Sequence, residues 1–184
     1  MKHYFSKEIS QKLPKLPSIN RNIKIEILNF DILTIKIIEH ETDLKENFCG
    51  SDLGLRTFLT TFSPKASVYY NICHKTDIDI LHKLVINHLL DLNDTVFIGL
   101  LNIKKDSINL FNSRLIKEAH LRKKNVYVIP EYYTTQTCSV CGLLNYVGSS
   151  SVYKCIYCNN RCCRDLNAAK NILIKGLTIT KKQL

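Results

Sequence analysis

Four cysteines carry the clearest chemistry in the chain: Cys138 with Cys141, then Cys155 with Cys158. Each pair is spaced C-x-x-C, and thirteen residues separate the two pairs. A C-x-x-C knuckle turns its two thiolates to one side, and a hairpin between the pairs can bring the second knuckle against the first. Four thiolates at about 2.3 Å complete a tetrahedral zinc site and leave no position for a substrate, so the expected Zn²⁺ is structural. The competing arrangement, disulfides or solitary buried thiols, suits a secreted protein. Met1-Lys-His-Tyr-Phe-Ser-Lys7 is polar and carries no apolar signal segment. An intracellular, reducing compartment is therefore expected, with cytoplasm and nucleus undistinguished. Cys162 and Cys163 lie beyond the four-ligand set.

Two aspartates are next. Asp52 stands in Phe48-Cys-Gly-Ser-Asp-Leu-Gly-Leu-Arg-Thr-Phe-Leu-Thr-Thr-Phe62, a stretch rich in β-branched and aromatic residues. A carboxylate inside such a strand must be paired, protonated or metal-bound, unless it merely closes an Asx turn at Gly54. Asp165 precedes a helical run from Leu166 to Leu177, where the helix dipole favours an ionised carboxylate and a capping role is equally open.

The elements that must position these groups can be read from periodicity. Residues 1–20, with Pro14 and Pro17, read as a lead-in with little structure. Asn22 to His40 reads as two strands joined by a short turn. Phe48 to Phe62 reads as a strand that turns at Gly54 and returns, and Val68 to Cys73 as a further strand. Asp77 to Leu92 has apolar residues at helical spacing, which places His82 and His88 on different faces as surface or helix-end residues, not ligands. Thr95 to Leu101 reads as a buried strand parallel to the first core strand, Leu110 to Lys123 as a helix, and Asn125 to Ile129 as a strand stopped by Pro130. The sum is an α/β layer architecture.

Twenty-six Lys and Arg against sixteen Asp and Glu give a net charge of +10, which favours a polyanionic partner. From Thr134 onward there are seven basic residues and one acid, Asp165. No apolar run approaches the ~20 residues of a membrane span, so no membrane partner is expected. The oligomeric state is not indicated.

The run Glu131-Tyr-Tyr-Thr-Thr-Gln-Thr-Cys138-Ser-Val-Cys141-Gly142, the second knuckle, and Arg164-Asp-Leu-Asn-Ala-Ala-Lys-Asn-Ile-Leu173 resemble the C-terminal zinc-ribbon region of TnpB-type transposon proteins. Fanzor proteins and compact type V CRISPR effectors share that region. Gly50-Ser-Asp52-Leu-Gly54-Leu-Arg56 resembles the first RuvC motif of the same group. The resemblance implies an RNase H-like (RuvC-like) nuclease core with a zinc ribbon inserted before its last catalytic aspartate. The implied segments are an N-terminal β-rich part at 1–47, core at 48–133, ribbon at 134–163 and closing helix at 164–184.

It also implies a pair of Mg²⁺ ions held by three carboxylates, of which Asp52 would be the first and Asp165 the last. The middle acid departs from the commoner pattern. Where typical TnpB proteins place a glutamate after the strand matching Val96-Phe-Ile98, this chain has Gly99. Some relatives carry the glutamate later in the chain, and Glu131 matches that position. Arg56, Lys123, Lys124, Arg161 and Arg164 are candidates for phosphate contacts, and Tyr132, Tyr133, Tyr153 and Tyr157 for base stacking or ribbon packing.

Three functions follow. The first is a metal-dependent DNA endonuclease of TnpB/Fanzor type, with guidance by RNA implied by the resemblance. The second is a zinc-containing DNA- or RNA-binding remnant without catalysis, and the third a zinc-ribbon adaptor for proteins. Residues 1–47 are too few to replace the large N-terminal part of full-length members, so a truncated or minimal member is expected.

Overall fold

The computed structural model describes residues 25–29, 33–42, 45, 47–54, 57–73, 77–100 and 106–181. The lead-in at 1–20 and Arg56 lie outside these residues. A seven-stranded sheet forms the centre. Its strands are β1 (Ile25–Asn29), β2 (Leu33–Glu39), β3 (Phe48–Leu53), β4 (Leu59–Phe62), β5 (Ala66–Ile72), β6 (Thr95–Leu100) and β7 (Asn125–Pro130), in the order β1-β2-β5-β4-β3-β6-β7. The first five strands in that order pair antiparallel, and β3, β6 and β7 run parallel. Strands β1 and β2, which fall within the Asn22–His40 stretch, are part of this sheet, because β2 pairs with β5 from Leu33 opposite Ile72 to Glu39 opposite Ala66.

Two helices cover one face. Helix α1 (Ile78–Leu92) starts at Asp77, whose side chain accepts from Asp79 N at 2.7 Å, a cap that satisfies one of the orphan donors of the first turn. It buries Leu81, Val85, Ile86, Leu89 and Leu90. Helix α2 (Asp106–Leu121) buries Phe111, Leu115 and Ala119, one residue per turn on one stripe. Both stripes meet Cys49, Leu53, Val96 and Ile98 of the sheet in the larger core. The second helix begins earlier than Leu110.

His82 corrects the sequence reading. It is buried, 1% exposed, between Phe58 and Phe111, with Arg114 Nη1 at 3.2 Å from its Nδ1. The apolar face of α1 is wide enough to include position 82, which spacing alone assigned to the surface.

The opposite face is covered by helix α3 (Arg164–Lys181), longer at both ends than the run Leu166–Leu177. Phe62, Phe97, Ile129, Ala169, Ile172 and Leu173 form a second core there. A strand's side chains alternate between faces. Cys49 and Leu53 of β3 therefore join the α1/α2 core, while Phe48, Gly50 and Asp52 point towards α3. The helix crosses β3 at Gly50, where a β-carbon would collide with Ala169 O and lie 2.5 Å from Leu173 N. Ala168 and Ala169, both fully buried, allow that approach. No described helix is long and apolar enough to cross a membrane.

Candidate functional site

Between β7 and α3 the chain folds into a small module with its own core of Cys138, Tyr153 and Cys155. Strands β8 (Val152–Lys154) and β9 (Arg161–Cys163) form an antiparallel hairpin. Two knuckles repeat the same backbone hydrogen bonds. Cys138 N donates to Leu143 O and Gly142 N to Cys138 O; Cys155 N donates to Asn160 O and Asn159 N to Cys155 O. Amides at Val140 and Tyr157 approach the first sulfur of each pair at 3.5 and 3.4 Å. The residue after each pair takes a positive φ, 74° at Gly142 and 58° at Asn159, a conformation that glycine and asparagine accept most readily.

The four Sγ atoms lie within 4.8 Å of one another, with Cys138–Cys158 and Cys141–Cys155 both at 3.6 Å. A tetrahedron with metal–sulfur bonds of about 2.3 Å has sulfurs about 3.8 Å apart, so the set fits one zinc ion. Tyr153 and Asn145 brace it from inside. Asn145 Nδ2 donates to the Tyr153 hydroxyl at 2.8 Å, and that hydroxyl donates to Gln136 O at 3.3 Å. Tyr153 is thus a core residue of the ribbon. Cys162 packs at the margin of the same cluster.

The carboxylates gather at the carboxyl ends of the parallel strands, on the α3 face. Ser51 lies opposite Ile98 and Gly99 opposite Ile129, so Asp52 falls beside Gly99, and the residue following β7, two beyond Gly99's partner, lies on the same face. That residue is Glu131. Its side chain folds back over Gly99: a β-carbon there would meet Oε1 and lie 2.8 Å from both Cγ and Cδ. Asp165, in the first turn of α3, completes the group.

Asp52 is 8% exposed. Burial, then the charges of Glu131 and Asp165, holds its carboxyl well above the usual carboxylate range, with Arg164 opposing. Burial pushes Glu131 up to about 7. Glu131 Oε1 is buried and accepts no hydrogen bond from the described residues. Repelling, desolvated carboxylates with an orphaned oxygen are a donor set for a hard divalent cation. Among the described residues, the four cysteines are the one group of three or more ligands drawn as tightly as 4.8 Å.

The basic candidates separate by position. Arg164 lies within electrostatic reach of Asp52, and its Nη1 donates to Gly148 O at 3.3 Å. Arg161 stands exposed on β9, directly across from Lys154. Lys123 and Lys124 precede β7 and so lie at the end of the sheet opposite the acids. Lys124 binds Leu90 O, Asn93 O at 3.2 Å and Asp94 at 3.3 Å, closing the end of α1.

Three residues that hold the site together carry no role in the sequence reading. Asn167 and Asn171, fully buried on α3, grip the segment before the first knuckle. Asn167 Nδ2 donates to Thr137 O at 2.7 Å, and its Oδ1 accepts from Ser139 N at 3.0 Å. Asn171 Nδ2 donates to Thr134 O and Thr137 O at 2.8 and 2.6 Å. Lys175 Nζ donates to Pro130 O at 2.7 Å and sits over the Tyr132 ring. Their signal was available as polar residues at spacings of four on an otherwise apolar helical stripe.

A mixed α/β sheet with acids at its strand ends and a four-cysteine ribbon set before its last helix defines the class of protein. The family described as Cas12f1-like, TNB domain matches residues 109–172, which span most of α2, β7, the ribbon and the first half of α3. The chain is 27% identical to the putative transposase R186 of Acanthamoeba polyphaga mimivirus, over 82% of this chain and 46% of that protein. It is 33% identical to the TnpB-like protein L79 of the same virus, over 71% of this chain and 26% of that one. A solved Cas12f1 chain, from a complex with sgRNA and target DNA, aligns at 18% identity and a TM-score of 0.49, over 76% of this chain and 55% of that chain. The chain is a TnpB-type family member. It spans less than half the length of these two viral relatives.

Proposed function

We propose that the chain is a metal-dependent DNA endonuclease module of TnpB type, with an RNase H-like (RuvC-like) core at 48–133, a zinc ribbon at 134–163 and a closing helix at 164–184. The observation that carries this reading is the place of Glu131: its carboxylate fills the space left by Gly99, beside buried Asp52 and on the face covered by α3. The order β5-β4-β3-β6-β7, an antiparallel meander followed by two parallel strands, supports the core assignment.

In this reading Asp52, Glu131 and Asp165 hold Mg²⁺, which supplies an activated water and steadies the leaving oxygen of the phosphodiester. The chain's own contribution is to keep these carboxylates fixed, with Asp52 and Oε1 of Glu131 out of water. Arg164 offsets part of their repulsion. The ribbon cysteines hold Zn²⁺ structurally. The exposed Lys154–Arg161 pair, with the net charge of +10, serves the phosphate backbone. Guidance by RNA is part of the proposal through the family.

A second reading, a zinc-containing nucleic-acid-binding protein without catalysis, is favoured by one observation: the acids are less tightly drawn together than the cysteines. Cleavage of labelled single- and double-stranded DNA by zinc-loaded protein in Mg²⁺ separates the two. The endonuclease reading expects cutting that Asp52→Ala and Glu131→Gln both abolish. Salt-sensitive binding with no cutting, with guide RNA supplied as well as without it, favours the second reading.

A further inference from the structure

Asn167, Asn171 and Lys175 lie at i, i+4 and i+8 on α3, a single stripe about 12 Å long. Their partners run in the opposite chain direction: Ser139 and Thr137 with Asn167, Thr137 and Thr134 with Asn171, Pro130 with Lys175. The gripped segment therefore begins one residue before Glu131 and ends one residue after Cys138. Inside it, Thr134 closes a turn on Glu131, whose carbonyl accepts from Thr134 N at 3.0 Å and from Thr134 Oγ1 at 2.8 Å. Both asparagines are buried and share Thr137 O, so releasing Asn167 strands Ser139 N and releasing Asn171 strands Thr134 O, each at the cost of a lost hydrogen bond to a buried side chain.

We infer that the Asn167–Asn171–Lys175 stripe is a positioning device that registers Glu131 against Asp165 and couples the first cysteine knuckle to the acidic site. The helix that carries Asp165 near its start also sets the backbone that aims Glu131 over Gly99. The same hydrogen bonds fix the entry to Cys138, so knuckle and carboxylate share one piece of backbone. Coupling of this kind is reciprocal: zinc in the ribbon tightens divalent-ion binding at the acids, and a divalent ion at the acids slows zinc loss. The coupling to the acids rests on the reading of Asp52, Glu131 and Asp165 as cation ligands; the mechanical link between knuckle and loop does not.

The test uses the full zinc-loaded chain with Mn²⁺ as the probe. Mn²⁺ affinity is read by electron paramagnetic resonance, zinc content by metal analysis, and loop order by amide exchange over residues 131–137. Removing zinc from the wild-type protein is expected to weaken Mn²⁺ binding roughly tenfold, the lower end of what outer-shell supports give, and to speed exchange of the loop. Asn171→Ala is expected to do the same with zinc still bound, and to erase most of the further effect of zinc removal. Lys175→Met, a surface change that spares the buried pair, should weaken Mn²⁺ severalfold while zinc content and melting stay unchanged.

Loop exchange and Mn²⁺ affinity that ignore zinc removal would overturn the inference. So would an Asn171→Ala protein in which the zinc effect persists in full. Asp52→Asn separates the two layers. If it leaves Mn²⁺ binding unchanged, Asp52 drops out of the site; if Glu131→Gln and Asp165→Asn leave it unchanged as well, the acidic-site reading fails, and loop exchange on zinc removal alone then decides whether the stripe transmits.

Discussion

Glu131 stands in the space that any side chain at position 99 would fill: a β-carbon on Gly99 would collide with its carboxylate. The two positions are therefore not independent. Gly99→Ala should displace Glu131 and cost about 1–3 kcal/mol of stability as overpacking, with divalent-ion affinity falling roughly tenfold or more. Gly99→Glu alone should be worse than either wild type or Glu131→Ala. The double change Gly99→Glu with Glu131→Ala should recover binding, because one carboxylate is restored to the shared space. Thermal unfolding and Mn²⁺ titration of the four variants beside the wild type check this.

Zinc removal should have a bounded effect. The ribbon cluster around Tyr153 is distinct from the large core between the sheet and its two covering helices. Chelation is expected to strip amide protection from residues 134–163 while leaving the main unfolding transition in place, since a small module built on a metal folds with it. Hydrogen exchange with and without chelator reads this directly. A single cooperative collapse of the whole chain would contradict it.

Ribbon charges and sheet charges should behave differently. Lys154 and Arg161 face each other across the hairpin, a like-charge pairing that costs stability on its own. Replacing either with Ala should leave melting unchanged or slightly raised, and lower the slope of log affinity against log salt for duplex DNA by about 0.9. Lys124→Ala should do the reverse. It loses its bonds to Leu90 O, Asn93 O and Asp94 and therefore destabilises, with little change in the salt slope.

The sequence made some of this legible and hid the rest for definite reasons. The core strands and helices were visible as alternation, β-branched and aromatic content, uninterrupted apolar runs or helical patterning, and the cysteine spacing announced a four-cysteine cluster. His82 was misplaced because a stripe wide enough to meet two layers of aromatic residues looks, in sequence, like a narrower one with a polar neighbour. Asn167 and Asn171 were passed over because their partners are backbone groups, which leave no trace in residue type; the only signal was their own polar spacing on an apolar helical stripe. Gly99 read as the loss of an acid. Only the side-by-side register of β6 and β7 shows that the vacancy is what Glu131 needs.

His82 also predicts a pH response. Burial and then the charge of Arg114 lower its pKa from 6.5, with Asp79 opposing. A depressed histidine contributes stability that is fully present above pH 6.5 and is lost as pH falls towards its lower folded value. His40 and His88 are lowered as well, chiefly by burial, and add to the same acid limb. Asp52 and Glu131, whose carboxyls burial holds above the usual range, act with the opposite sign and gain stability as pH falls. The histidine contribution is therefore read as a difference: between pH 7.5 and 5 the urea midpoint of His82→Gln should start lower than wild type and converge towards it as pH falls.

The central claim is that Asp52, Glu131 and Asp165 form one divalent-cation site. Mn²⁺ titration of the zinc-loaded chain, followed by electron paramagnetic resonance, tests it most directly. The account predicts saturable binding weakened tenfold or more by each of Asp52→Asn, Glu131→Gln and Asp165→Asn, with zinc content intact. Affinity unchanged in any one of the three would remove that residue from the site, and affinity unchanged in all three would contradict the account.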